Sequence, residues 1–187
     1  MGGVSTRKVA QITEELFGTE FSNSTVSELC KRLDPVVTDW NNRPLHDHPH
    51  PFVLVDALVL KVREDGRVRP RGAFIGIGVN TGRISQGWGF MLGDSESEAS
   101  WGEFFSWLKS RGLRGVERIV SDDHGGLVRT IRKPFQGVTW QRCQTHFLCN
   151  ILDATPKAMQ DEIHSRVRAI FDALDLDAAR LLLNQVL

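Results

Sequence analysis

The chain has 187 residues, 41% hydrophobic and 25% charged, with 23 basic side chains balancing 23 acidic ones. That length holds one good-sized core plus a small appendage, and zero net charge excludes the visibly basic surface of a dedicated DNA-binding domain. No apolar run approaches the roughly 20 residues of a bilayer span, the start MGGVSTRKVAQ has no signal core, and three cysteines (Cys30, Cys143, Cys149) in no framework spacing fit a reducing, cytoplasmic setting.

Residues 3–41 read as helical. Ser5 or Thr6 caps a first helix with Val9, Ile12 and Leu16 on one face, and Gly18 ends it. Ser22-Asn23-Ser24-Thr25 offers turn and cap chemistry before a second helix carrying Val26, Leu29, Cys30 and Leu33 at helical spacing. Such a pair is either a helix-turn-helix, presenting Ser24, Thr25, Lys31 and Arg32 to DNA, or a plain helical hairpin. Five basic against seven acidic side chains in residues 1–47 weigh against DNA. Residues 42–51, rich in Pro and Asn, read as a linker. His46, His48 and His50 alternate there, but Pro49 and the lack of a rigid scaffold disfavour a metal site.

PFVLVDALVLKV, residues 51–62, is an almost continuous apolar run that suits a central strand covered on both faces. Asp56 stands in its middle. A carboxylate there needs donors, a basic partner or a cation to offset its desolvation. Glu64-Asp65-Gly66-Arg67 makes a hairpin turn into a second strand over residues 68–79. Pro70 marks the first half of that strand as an edge or a bulge. By the period-2 rule Arg67, Arg69 and Arg71 share one side of the hairpin, where they could meet a phosphate backbone. A Gly-rich third strand follows over residues 84–92. Next comes a helix whose expected capping box is Ser95 with Glu98, and whose buried stripe is Trp101, Phe104, Phe105 and Leu108. A fourth strand (116–120) ends in Ser121-Asp122-Asp123-His124-Gly125-Gly126. Then come a helix at 127–133, a fifth strand at 138–142 and a helix opened by Cys143-Gln144-Thr145-His146. Beyond Pro156 the chain reads as helical, and its apolar ending LLLNQVL reads as cut.

Three antiparallel strands followed by parallel strands with intervening helices outline an α/β, ribonuclease H-like mixed sheet. In that arrangement the first and fourth strands are neighbours, which brings Asp56 towards Asp122. Two adjacent carboxylates repel unless a cation intervenes. Mg²⁺ or Mn²⁺ suits such oxygen ligands, and a two-metal site serves phosphodiester chemistry. Cys143-x-x-His146 is half of a tetrahedral zinc site with no second pair to complete it.

The runs FVLVDALVLKVREDG, GFMLGDSESEASWGEFFSWLKSRGLRGV, VSDDHGGL and WQRCQTHFLCNILDATPK, with GVSTRKVAQI and STVSELCKRLD nearer the start, resemble mutator-type transposases of bacterial insertion sequences. The resemblance covers nearly the whole chain. It implies an Asp-Asp-Glu triad that binds two divalent ions for DNA strand cleavage and joining. By motif Asp56 and Asp122 are the catalytic, metal-binding pair. His146 lies near the metal, and Cys143, Trp140 and His124 belong to the supporting motifs. Asp123 departs from the small residue usual at its position. The family's Glu lies beyond a helical insertion of which residues 156–187 look like only the start.

The expected organisation is therefore a helix-turn-helix-like segment (1–41), a linker (42–51), a partial ribonuclease H-like core (52–155) and the start of a helical insertion (156–187). The expected partners are element terminal inverted repeats, target DNA and a second copy of the chain, with no membrane. Two other readings stand beside a catalytically incomplete transposase fragment. One is a self-sufficient nuclease drawing its third carboxylate from Glu98 or Glu103. The other is a non-catalytic DNA-binding product that modulates an intact transposase.

Overall fold

A computed structural model describes residues 12, 14, 15, 18 and 21–185. The chain divides into two units, Met1–Pro44 and Leu45–Leu187. In the first, the expected helix with its Ser5 or Thr6 cap lies outside the described residues, except that Ile12, Glu14 and Glu15 are helical. Gly18 ends this turn at φ 64°, its N–H donating to the Glu14 carbonyl. Helix α1, Asn23–Asn42, is capped by Ser22, whose hydroxyl accepts from the Thr25 N–H. Val26 is buried, whereas Leu29, Leu33, Val36, Val37 and Trp40 are exposed.

The second unit is built on a sheet of strands β1 (Phe52–Glu64), β2 (Arg67–Val79), β3 (Ser85–Gly93), β4 (Arg118–Ser121) and β5 (Thr139–Arg142), in the order β3-β2-β1-β4-β5. β1, β2 and β3 are antiparallel neighbours, while β4 runs parallel to both β1 and β5. That order and those directions are the ribonuclease H-like fold. Asp65 (φ 49°) and Gly66 (φ 74°) close the first hairpin in the left-handed region that such a two-residue turn demands. Pro70 costs no ladder bond to β3, because β3 pairs with β2 only from Gly72 onward.

Helix α2, Glu98–Ser110, seals one face of the sheet. Trp101, Phe104, Phe105 and Leu108 are fully buried in a cluster with Val53, Val55, Phe74 and Trp88. Phe74 meets Trp101 edge-on at 4.7 Å, the geometry that ring quadrupoles favour. Trp88 is the extra residue where the β2–β3 register shifts, and Gly78 leaves the space its indole fills. The cap of α2 is Ser97, which accepts from the Ser100 N–H, and not Ser95. Glu98 is thus the first helical residue and has no capping-box role. Its carboxylate instead receives Arg129 at 3.2 Å and Lys133 at 2.8 Å.

The expectation that β1 is covered on both faces does not hold. Val53 and Val55 are buried under α2, whereas Phe52, Leu54, Leu58 and Leu60, on the Asp56 side, are exposed. Helix α2 covers the Val53–Val55 face, whereas Leu54 and Leu58 on the other face remain half-exposed. Helix α3 (Gly125–Ile131) packs on α2, and helix α4 (Gln144–Asp153) follows β5. A short 3-10 turn, Lys157–Met159, leads into α5 (Gln160–Phe171) and α6 (Leu176–Asn184), which pack together. The segment before β1 is tied to this unit, with Leu45 and His50 buried and their N–H groups donating to the Arg111 and Arg114 carbonyls. No helix of the described residues is long and apolar enough to cross a membrane.

Candidate active site

β1 and β4 pair with Phe52 opposite Arg118 and Leu54 opposite Val120. Carried two residues further, the same offset sets Asp122 opposite Asp56, on strands spaced about 4.8 Å apart. Asp56 Oδ1 accepts the Ala57 N–H at 2.9 Å, and Asp122 Oδ1 accepts the His124 N–H at 3.3 Å. Among the described residues neither carboxylate has a Lys or Arg partner. Asp123 differs: it is half exposed and pairs with Arg142 at 3.4 Å. Two consecutive carboxylates are separated in this way, Asp123 paired with Arg142 at the surface and Asp122 accepting the His124 N–H.

A hollow of about 190 Å³ is lined by Asp56, Ser121, Cys143 and His146 together with Leu54 and Ile75. A second, of about 260 Å³, is lined by Asp122, Asp123, His124, Arg142 and His146. His146 therefore borders both, and its buried Nδ1 has no hydrogen-bond partner. An orphaned buried nitrogen carries a desolvation cost of about 1–3 kcal/mol that a bound ligand or water would remove. Cys143 caps α4 without a side-chain hydrogen bond. Trp140, which the sequence marks only by motif, supports the Asp122 strand end. Its Nε1 donates to Ser121 Oγ at 2.9 Å, and that hydroxyl donates to the Asp122 carbonyl at 2.7 Å. Ser121 is itself fully buried, a supporting role that sequence reading missed.

A third carboxylate was missed as well. Glu96, just before the Ser97 cap, is three-quarters buried and lies against the Asp122 loop, with Oε1 3.5 Å from His124 Nδ1. Trp101 Nε1 donates to the same oxygen at 3.3 Å. Burial raises the Glu96 pKa above the ordinary range; His124 opposes the rise, and Asp122 and Asp56 add to it. The two acids singled out from sequence stand elsewhere. Lys133 and Arg129 hold the Glu98 carboxylate below its usual pKa, and Glu103 is exposed. In the sequence, Glu96 sits in the acidic run DSESE, which reads as a solvated helix start. Its burial comes from the β4–α3 loop, far away in the chain.

No three His, Cys, Asp or Glu side chains of the described residues converge closely enough to hold one metal ion in common. Asp56 and Asp122 line the two hollows that His146 borders, neither carboxylate has a Lys or Arg partner among the described residues, and the buried Nδ1 of His146 is unsatisfied. That fits a hard divalent ion, which uses one or two carboxylates plus substrate phosphate. Of the arginines on the β hairpin, Arg71 is engaged twice over, by Glu64 and by Asp94. Arg67 and Arg69 are exposed on the side of the hairpin that carries Asp56. On α1, Ser24, Thr25, Lys31 and Arg32 are exposed. His46 and Asp47 lie 3.5 Å apart at the surface, while His50 turns away into the core against Trp88.

Residues 1–187 match the family model described as transposase, Mutator family. The chain is 44% identical over 187 residues to the transposase for insertion sequence element IS256 in transposon Tn4001 of Staphylococcus aureus, covering 100% of this chain and 48% of that protein. It is 39% identical over 185 residues to the transposase for insertion sequence element IS1081 of Mycobacterium tuberculosis, covering 99% and 45%. The chain thus spans about half the length of the curated relatives it matches. Among solved structures, the HTLV-2 integrase catalytic core domain in complex with magnesium is 11% identical, with a TM-score of 0.35 over 72% of this chain and 92% of that one.

Proposed function

This chain belongs to the Mutator family of transposases, and from that premise we propose that Asp56 and Asp122 are two carboxylates of a metal-dependent DNA strand-cleaving and joining site. The carrying observation is the parallel pairing of β1 with β4, which extended by two residues sets Asp122 opposite Asp56, with no Lys or Arg partner on either carboxylate among the described residues. Loaded with Mg²⁺ or Mn²⁺, the pair would supply positive charge for the attacking and leaving oxygens of a phosphodiester. The protein's own part is to hold the pair rigid. Trp140 and Ser121 fix the end of β4, and His146 offers its Nδ1 to the hollow for water or a phosphate oxygen. Cys143 packs at the start of α4.

On this reading the chain contributes two carboxylates of an expected three, in keeping with the absence of any group of three His, Cys, Asp or Glu suited to a metal ion among the described residues. Alone it is read as binding metal without turning over DNA. The DNA it serves is the terminal inverted repeats and target of an insertion element. Arg67 and Arg69, on the open side of the sheet with Asp56, suit the phosphate backbone, and Ser24, Thr25, Lys31 and Arg32 on α1 suit an end-binding segment. Arg71 is spent on Glu64 and Asp94 and is not counted among them.

Titrating Mn²⁺ calorimetrically into the wild-type chain and single variants tests the assignment. Asp56→Asn and Asp122→Asn should each weaken binding at least about tenfold, while Asp123→Asn should leave it within about twofold. Loss of binding in Asp123→Asn but not in Asp122→Asn would overturn the reading. Mn²⁺-dependent cleavage of inverted-repeat DNA by this chain alone would show that the carboxylate set is already complete.

A further inference from the structure

Glu96 is joined to Asp122 by a short series of contacts. Trp101, fully buried in the core, donates Nε1–H to Glu96 Oε1 at 3.3 Å. The same oxygen faces His124 Nδ1 at 3.5 Å, a buried nitrogen with no aligned hydrogen bond. The His124 backbone N–H in turn donates to Asp122 Oδ1 at 3.3 Å. The two loops that carry these residues are pressed together. A Cβ on Gly126 would lie 3.1 Å from both the Glu98 backbone nitrogen and His124 Cε1. Thr130 Oγ1, which donates to the Gly126 carbonyl at 2.7 Å, also lies 3.2 Å from the Glu98 carbonyl, and Arg129 and Lys133 grip the Glu98 side chain. The start of α2 and the β4–α3 loop therefore form one braced corner, with Glu96 inside it.

We propose that Glu96 is a positioning residue of the Asp56–Asp122 site: through His124 it orients the Asp122 carboxylate towards a divalent cation. This rests on the carboxylate-pair reading above and deepens it. The oxygen that accepts from the Trp101 indole is the one that faces His124 Nδ1, so the role needs an oxygen at this position that reaches both groups. A carboxylate in this corner stands within electrostatic reach of two more carboxylates, a costly placement in the absence of a cation. Outer-shell partners of metal-binding carboxylates contribute about 10–100-fold to metal affinity. Glu96 reaches the metal-binding pair in that indirect way, since it does not converge with Asp56 and Asp122 as a common ligand set.

Two measurements on the 187-residue chain test this. In Mn²⁺ titrations, Glu96→Ala and His124→Ala should each weaken binding about tenfold, and the double variant should be no weaker than either single one. Glu96→Gln, which keeps an oxygen facing Trp101 and His124, should stay within about threefold. In metal-free hydrogen exchange by NMR, Glu96→Ala should speed exchange of the His124 amide about tenfold or more, and Glu96→Gln should not. If Glu96→Ala lowers stability yet leaves both the amide and the Mn²⁺ affinity as in wild type, Glu96 merely accepts from Trp101 and the proposal falls. Wild-type protein that binds no Mn²⁺ would remove the carboxylate-pair reading instead, and the His124 amide would then decide Glu96 by itself.

Discussion

On one face of the sheet Val53, Val55 and Phe74 are sealed beneath α2; on the other, Leu54, Leu58, Phe90 and Leu92 stand between 40% and 49% exposed around Asp56. The same strand, β1, supplies both faces by simple alternation. The first face is where stability is made. Its aromatic rings interlock at edge-on and tilted angles, and every large side chain in it has neighbours on all sides. The second face keeps a carboxylate in the middle of a half-exposed apolar strand, with the Ala57 N–H as its hydrogen-bond donor and no basic partner among the described residues. The difference separates what the strand needs in order to fold from what the site needs in order to react.

The largest effect expected from this contrast is a truncation on each face. Phe104→Ala should cost about 3–5 kcal/mol of unfolding free energy, whereas Leu58→Ala or Phe90→Ala should cost about 1 kcal/mol or less. Urea melts of the three variants decide it, and a similar cost on both faces would break the contrast. Next in size is Gly78→Ala, which places a Cβ 1.9 Å from Trp88 Cζ2 on the sealed face. Because the indole is fully buried and cannot swing aside, roughly 2–3 kcal/mol should be lost in the same melts.

The open face gives the opposite sign. Asp56→Val removes a carboxylate without a Lys or Arg partner from the middle of an apolar strand, so the metal-free chain should gain roughly 0.5–1.5 kcal/mol. It should also lose Mn²⁺ affinity. A variant that loses stability as well as metal would make Asp56 a structural residue.

The sealed face was largely legible in the sequence. The spacing of Trp101, Phe104, Phe105 and Leu108 announces a buried helical stripe, and Asp65-Gly66 announces the tight turn that pairs β1 with β2. The adjacency of β1 and β4, the strands that carry or lead into Asp56 and Asp122, also followed from the strand order. What was not legible depends on contacts between distant segments. The exposure of Leu54 and Leu58 depends on which face of β1 helix α2 covers, which an apolar run cannot encode. The cap moved from Ser95 to Ser97 because Glu98 is drawn to Arg129 and Lys133, more than 30 residues away. Glu96 took its place beside His124 by the same packing. Local patterning named the acids of this loop without showing which of them turns inward.

The smallest effect concerns a titrating group on the sealed face. His50 is buried edge-on to Trp88, with ring centroids 5.0 Å apart, and burial pushes its imidazole below the ordinary value, although a hydrogen bond with Gln86 opposes the shift. A histidine whose folded pKa is depressed binds its proton more readily in the unfolded chain. Its contribution to stability is therefore fully present above the unfolded value of about 6.5 and is lost as pH falls below it, levelling off only beneath the folded pKa. The urea midpoint should accordingly drop between pH 7.5 and pH 5.5, and His50→Gln should shrink that drop while leaving Mn²⁺ affinity unchanged. A His50→Gln chain with the full wild-type slope would move the pH sensitivity to other groups, of which His46 and His48 are the exposed histidines of the same segment.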